Sequence, residues 1–244
     1  TFSLDAYKYL FYKASEIFRA YGITVFITVV GTAASLFITP LLAYPLSRKD
    51  FKARNIFSFL VFFTMLFNGG IVPSYIMWTR IFHLKNTITA LILPGLLMNG
   101  FNVILMKNYF AQNIPAELIE AAKMDGAGEF KIFFKMILPL SLPIMATVGL
   151  FVGIGYWNDW TNGLYYVTDA KLYSLQNLLN RILQDVQFLN SSTMTNAGVA
   201  ATTQMPSVSI RMAISVVGIL PIMVLYPFFQ KYFVKGIAVG AVKG

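Results

Sequence analysis

Apolar residues in this chain run on in long unbroken stretches, not in the alternating or one-sided patterns of a soluble core. Five windows, residues 20–47, 55–79, 86–106, 136–158 and 212–230, hold no Asp, Glu, Lys, Arg or His. A helix rises about 1.5 Å per residue, so about 20 apolar residues cross the hydrocarbon core of a bilayer. Each window is near or above that length, which predicts five transmembrane helices in an all-α, polytopic fold. Pro40, Pro73, Pro94, Pro143 and Pro221 lie inside or at the ends of these runs. Bundles tolerate them because neighbouring helices satisfy the freed carbonyls. The whole chain, 1–244, reads as a single membrane domain.

Segment 159–211 follows another rule. Leu175, Leu178, Leu179, Ile182, Leu183, Val186 and Leu189 recur at helical spacing, one apolar stripe on a polar helix. Such a helix is expected to lie on the surface of the bilayer or the bundle. Residues 190–204, NSSTMTNAGVAATTQ, are small and polar with no apolar period, and predict a flexible loop that is idle or touches a soluble partner.

Charge gives the runs a direction. Loop 48–54 carries four Lys and Arg, loop 107–135 four and tail 231–244 three. The other side has three in 1–19, two in 80–85 and three in 159–211. Basic residues favour the cytoplasmic side, and the dense short loop 48–54 decides the orientation. That loop, loop 107–135 and the C-terminus are therefore expected to be cytoplasmic. An odd number of helices then places Thr1 outside. No Met and no basic-then-apolar leader precede the first run, so no signal peptide is read and residues before Thr1 are expected to be missing.

Composition agrees. The chain is 57% apolar and 12% charged, with a mean hydropathy of +0.65; a soluble domain carries about twice that charge fraction. Its formal net charge of +9 is spread over every loop, with no basic helix or aromatic-interleaved groove for a nucleic acid backbone. The chain has no Cys, which removes disulfides and Cys-based metal sites.

Loop 107–135 has the most particular residue order. Pro115 suits the first turn of a helix, where its missing N–H costs nothing. Glu117 and Glu120 follow where the helix dipole favours negative charge. Leu118, Ile119 and Ala122 make a narrow apolar side, while Ala121 and Ala122 keep the surface thin. Asp125 and Gly126 stop the helix, with glycine able to take the left-handed conformation of a C-terminal cap. A second helix, 129–135, then enters an apolar run through Leu138 and Pro139. The expected product is a short rigid helix parallel to the membrane plane, shaped to dock into a cleft of a cytoplasmic protein.

The stretch EAAKMDGA (120–127), followed by Phe133, Leu138 and Pro139, resembles the EAA loop of ABC importer permeases. More narrowly, the chain is similar to the maltose-type, inner-membrane permeases that import carbohydrates. YWNDW at 156–160, YPFFQKYFVKG at 226–236 and GAVKG at 240–244 support that likeness, which runs along the whole chain. One departure is Met136, where the family usually has Ile, a swap of similar volume. The resemblance implies that Glu120, Ala121, Ala122, Asp125, Gly126 and Ala127, with Leu138 and Pro139, couple the chain to a separate ATPase, and that residues 236–244 also reach the ATPase. It implies a sixth helix before Thr1. It also implies a bacterial cell-membrane complex with a second permease, two ATPase subunits and an external solute-binding protein, ATP and Mg lying on the ATPase partners.

The residues exclude other chemistry. There is no GxxxxGK[ST] to cradle ATP, no HExxH or GxSxG, and no metal-ligand cluster. His83, the sole histidine, lies beside Arg80 and Lys85 and reads as a surface residue. Gly149 and Gly153 form a GxxxG suited to close helix packing. Charge-free spans argue against a proton-coupled carrier or ion pump, which keep ionisable groups there. A hydroxyl-rich solute needs amides, hydroxyls and aromatic faces instead. Tyr44, Asn68, Asn99 and Asn102 are available within the spans, and Trp157, Asn158 and Trp160 at an outer end. Import of a polyol, glycerol phosphate or amino acid, and a non-transport membrane role, stay open at this point.

Overall fold

The computed structural model describes residues 14–195 and 212–223, which fold as helices and turns with no strand among them. The helices are α1 (Ala14–Ser47), α2 (Arg54–Leu66), α3 (Ile71–Ile76), α4 (Thr89–Ile92), α5 (Gly100–Asn113) and α6 (Ala116–Met124). After them come α7 (Glu129–Ile132), α8 (Leu138–Leu140), α9 (Leu142–Asn158), α10 (Thr161–Tyr166), α11 (Leu175–Thr195) and α12 (Met212–Met223).

Helix α1 organises the bundle. Ile27, Gly31, Ser35, Thr39 and Ala43 are buried at every fourth position and form one row of mostly small side chains. Rows at that spacing share a helix face, and small residues let backbones approach where lipid gives helices no hydrophobic reason to associate. This face packs chiefly on α9 and α5. Gly149 and Gly153 of α9 face it: a Cβ on Gly149 would stand 3.1 Å from Leu36 Cδ1, and one on Gly153 would stand 3.6 Å from Thr32 Oγ1. Opposite Gly31 sits Tyr156, fully buried, whose hydroxyl donates to the Ile92 carbonyl at 2.8 Å. Asn162 Nδ2 likewise donates to the Pro94 carbonyl at 3.0 Å, so α9 and α10 both hold the chain around α4.

Of the five expected spans, only the first is a continuous helix long and apolar enough to cross a membrane among the described residues. Window 55–79 is a bent pair, α2 against Ile71–Ile81, turned by 110°. The turn is Asn68-Gly69-Gly70, where Gly70 has a φ of +85°. Window 86–106 is not one helix either: α4 has four residues and ends before Pro94 and Gly95 (φ +72°), and a new helix starts at Gly100. Residues 129–158 are another bent pair, turned by 79°. Of window 212–230, residues 212–223 are helical and the rest lies outside the described residues. Hydropathy sums over these Gly and Pro breaks, whereas backbone geometry does not.

The amphipathic stripe became α11, which lies on the bundle. Leu175, Leu178, Leu179 and Ile182 pack with Ile17, Ala20 and Trp157. Leu175 N–H donates to Thr24 Oγ1 at 2.8 Å. Of the stretch read as a flexible loop from residue 190, residues 190–195 are instead the end of α11; residues 196–204 lie outside the described ones, as do the signature stretches 226–236 and 240–244.

Candidate coupling site

The hairpin read from Pro115 to Gly126 folds as expected. Pro115, in extended backbone, caps the start of α6, and Glu117 occupies its first turn. At the far end Gly126 takes a φ of +76°. Its N–H donates to the Lys123 carbonyl at 3.0 Å, and Ala127 N–H to the Ala122 carbonyl at 2.9 Å. This paired closure of the last turn satisfies carbonyls that a helix end otherwise leaves open. Ile119 and Ala122 are buried and Leu118 half-buried, while Glu120, Ala121, Met124, Asp125 and Gly126 face outward. The nine-residue helix is thus anchored along one side and presents a thin, partly acidic surface on the other.

Downstream the chain widens. Leu138 N–H reaches back five residues to the Phe133 carbonyl, closing a π turn over Phe133–Ile137. Pro139 has no N–H to donate, and the wide turn comes immediately before it. Leu138 is half-buried against the core and Pro139 exposed.

Loop 48–54 meets this hairpin through a cluster of charges. Arg48 Nε donates to Asp50 Oδ1 at 2.8 Å, and its Nη2 pairs with Asp50 Oδ2. Arg48 Nη1 stands 3.3 Å from Glu129 Oε2. Lys123 Nζ stands 2.8 Å from Glu129 Oε1 and 3.3 Å from Asp50 Oδ2. The Arg48 guanidinium holds the Asp50 carboxyl well below the usual carboxylate range. The Lys123 ammonium lowers the Glu129 carboxyl, and the Glu129 carboxylate in turn raises Lys123. Carboxylates with depressed folded-state values stabilise fully above their ordinary range, and that contribution is lost as pH falls through the depressed values. Neutral pH therefore keeps the cluster intact.

Tyr44 belongs to the same place. Its hydroxyl accepts from Arg48 Nη1 at 2.8 Å and donates to Glu129 Oε2 at 3.3 Å. Its ring lies 5.3 Å from that of Phe133. A cavity of about 350 Å³ opens beside it among Leu41, Pro45, Phe51 and Phe130. Sequence reasoning offered Tyr44 as a path residue, counted Arg48 and Lys123 only as basic loop residues and gave Asp50 and Glu129 no role. The signal within reach was Tyr44 and Arg48, four apart across the end of α1.

The other path candidates scatter. Asn68 Oδ1 accepts from Gly70 N–H at 2.8 Å within the bend. Asn99 caps α5, accepting from Phe101 N–H at 2.8 Å. Asn102 is buried in α5. Trp157 is buried, and its Nε1 donates to the Gly218 carbonyl of α12 at 3.1 Å, so it joins two helices. Asn158 and Trp160 instead line an open cavity of about 530 Å³ between α11 and α12, where Gln176, Asn180 and Ser215 are set among apolar side chains such as Leu179 and Ile219. Trp160 is 44% exposed there. Gln176 and Asn180 were missed because their helix was read only for its apolar stripe. Among the described residues no group of His, Asp and Glu is placed to hold a metal.

An apolar helical bundle that carries a closed hairpin at one end and, near the other, a cavity with amides set in an apolar lining has the architecture of a membrane transport permease. Residues 19–239 match the family described as binding-protein-dependent transport system inner membrane component, and the chain belongs to that family. It is 45% identical to Protein LplC of Bacillus subtilis, with all of this chain and 80% of that protein covered. It is 43% identical to the polygalacturonan/rhamnogalacturonan transport system permease protein YtcP of the same organism, covering all of this chain and 83% of that one. The arabinooligosaccharides transport system permease protein AraQ of Halalkalibacterium halodurans is 32% identical, covering all of this chain and 81% of that protein. A solved bacterial ABC transporter involved in the import of the acidic polysaccharide alginate has a chain that superposes with a TM-score of 0.74 at 34% identity, covering 89% of this chain and 75% of that one.

Proposed function

We propose that the chain is the permease subunit of an ATP-driven, binding-protein-dependent carbohydrate importer, forming half of the path with a second, similar permease. The observation that carries the reading is the hairpin 115–127: a short helix, buried on one side, closed at Gly126 and exposed at Glu120, Ala121, Asp125 and Gly126. That surface docks on one of two separate ATPase subunits, where ATP and Mg bind, since this chain has no phosphate-binding loop. Closure of the ATPase pair draws the coupling helices together and rocks the bundles, opening the path to a sugar delivered by an external binding protein. The bent and split pairs each make one crossing, giving five in this chain in the bacterial cell membrane. Loop 48–54, loop 107–135 and the C-terminal tail face the cytoplasm.

Carbohydrate is favoured over other solutes by the relatives, whose names specify polygalacturonan/rhamnogalacturonan, arabinooligosaccharides and alginate. The outer cavity supplies the matching groups, an exposed indole face at Trp160 with amides at Asn158, Gln176 and Asn180. Losing an aromatic face costs on the order of 1 kcal/mol, roughly fivefold in affinity. Trp160→Ala in the assembled importer should therefore raise the sugar concentration for half-maximal uptake about fivefold, with ATP hydrolysis still stimulated by the binding protein. An unchanged half-saturation takes this cavity out of the path. Absence of any stimulation by a sugar-binding protein in the parent complex overturns the importer reading itself.

A further inference from the structure

Four charged side chains from three segments meet at the loop end of the bundle, and coupling as described above uses only one of those segments. Arg48 follows directly on α1 and Asp50 lies two residues beyond; Lys123 is in the last turn of α6, and Glu129 opens α7. Each carboxylate is shared by both cations: Asp50 by Arg48 and Lys123, Glu129 by Lys123 and Arg48. Two positive and two negative charges close a ring with no charge left over. Arg48 is 13% exposed and rests over the buried Tyr44 ring, so the ring of charges stands on packed side chains at its α1 edge.

We propose that this ring is a strap that makes the coupling helix and the end of α1 move as one body, with Arg48 and Lys123 as its positioning residues. The proposal rests on the coupling role of α6. Without the strap, a displacement of α6 reaches the bundle through the apolar contacts of Ile119 and Ala122 and along the chain, through α7, the π turn at Phe133–Ile137 and the 79° bend near Ser141. A wide turn and a bend are compliant joints. Helix α1, by contrast, is continuous over 34 residues, with Pro40 and Pro45 in its last turns, and packs along both α5 and α9. Pulled at Arg48, it carries the motion from the loop end to its other end beside α11, where the outer cavity opens. Sharing matters here: one long side chain fixed by two partners gives up little more freedom than one fixed by a single partner, so a ring resists slippage that a lone exposed pair does not.

Because the chain has no cysteine, the strap can be replaced by a covalent one. Asp50→Cys with Lys123→Cys, made in the full-length permease assembled with its ATPase and binding protein, is measured before and after bridging with a short bismaleimide, each arm of which adds one thiolate. Unbridged, sugar taken up per ATP hydrolysed should fall roughly threefold to tenfold, with assembly intact; bridged, it should return to within about twofold of the parent. Transport that stops on bridging, while hydrolysis continues, shows that the segments must separate and overturns the strap. Normal coupling in the unbridged variant overturns it equally. Arg48→Lys should keep more of the uptake-to-hydrolysis ratio than Arg48→Gln; equal loss in both contradicts a role carried by charge. Failure of the coupling reading gives a different result: a parent complex whose hydrolysis no binding protein stimulates.

Discussion

Gly126→Val should leave the permease assembled and unable to drive uptake. At a φ of +76° an L-residue brings its Cβ against the following carbonyl, a cost of about 1–2 kcal/mol, and a β-branched side chain fits this region poorly. No heavy atom lies within 4 Å of the position a Cβ would take, so the penalty comes from the backbone and is not relieved by repacking. The chain escapes it by leaving the left-handed conformation, which breaks the closing bonds to Lys123 and Ala122 and frays the last turn of α6. Asp125 and Ala127 then leave their places on the docking surface. An energy of that size shifts the capped population by roughly tenfold, and sugar uptake should fall by at least that factor. Gly126→Asn is the control, because asparagine tolerates the left-handed region; its uptake should stay close to the parent. Equal uptake by all three proteins in correctly assembled complexes removes the rigid hairpin from the mechanism.

The second large effect is on stability. Gly31→Ala places a Cβ 2.3 Å from Tyr156 Cζ and 2.5 Å from Cε2. That ring cannot swing aside cheaply, since Tyr156 is fully buried and its hydroxyl is bonded to the Ile92 carbonyl. Overpacking of this kind costs about 1–3 kcal/mol, here at the point where α1, α4 and α9 meet. The purified complex should melt several degrees lower, about 2–4 °C per kcal/mol in a domain of this size. Gly22→Ala, with nothing within 4 Å, should not lower the melting temperature. If both variants melt alike, the α1–α9 contact is looser than described.

What the sequence made legible was what depends on neighbours along the chain. Helix α1 follows from a charge-free run, and α11 from a stripe at helical spacing. The hairpin is signalled at both ends, by Pro115 and by Asp125-Gly126, and it folds where those signals put it. Window 86–106 misled because its apolar residues outweighed Pro94 and Gly95 in any averaged hydropathy. Once that break is recognised, Asn99 reads naturally as the cap of α5. The charged strap was beyond reach for another reason. Arg48 and Glu129 are 81 positions apart, and which cation meets which carboxylate is decided by how α1 packs on the bundle. Tyr44 illustrates the same limit: its type suits a sugar path, but its position at the end of α1 gives its hydroxyl to the loop cluster.

The central claim, that the hairpin is gripped by an ATPase on the inner side, is tested most directly by labelling its tip. Met124 is 89% exposed at the end of α6, and Met124→Cys would be the only thiol in the sequence given. A membrane-impermeant maleimide should label it in inside-out vesicles stripped of the ATPase and never from the outer side, and adding the ATPase subunit back should shield it. Labelling from the outside of intact cells would contradict the account.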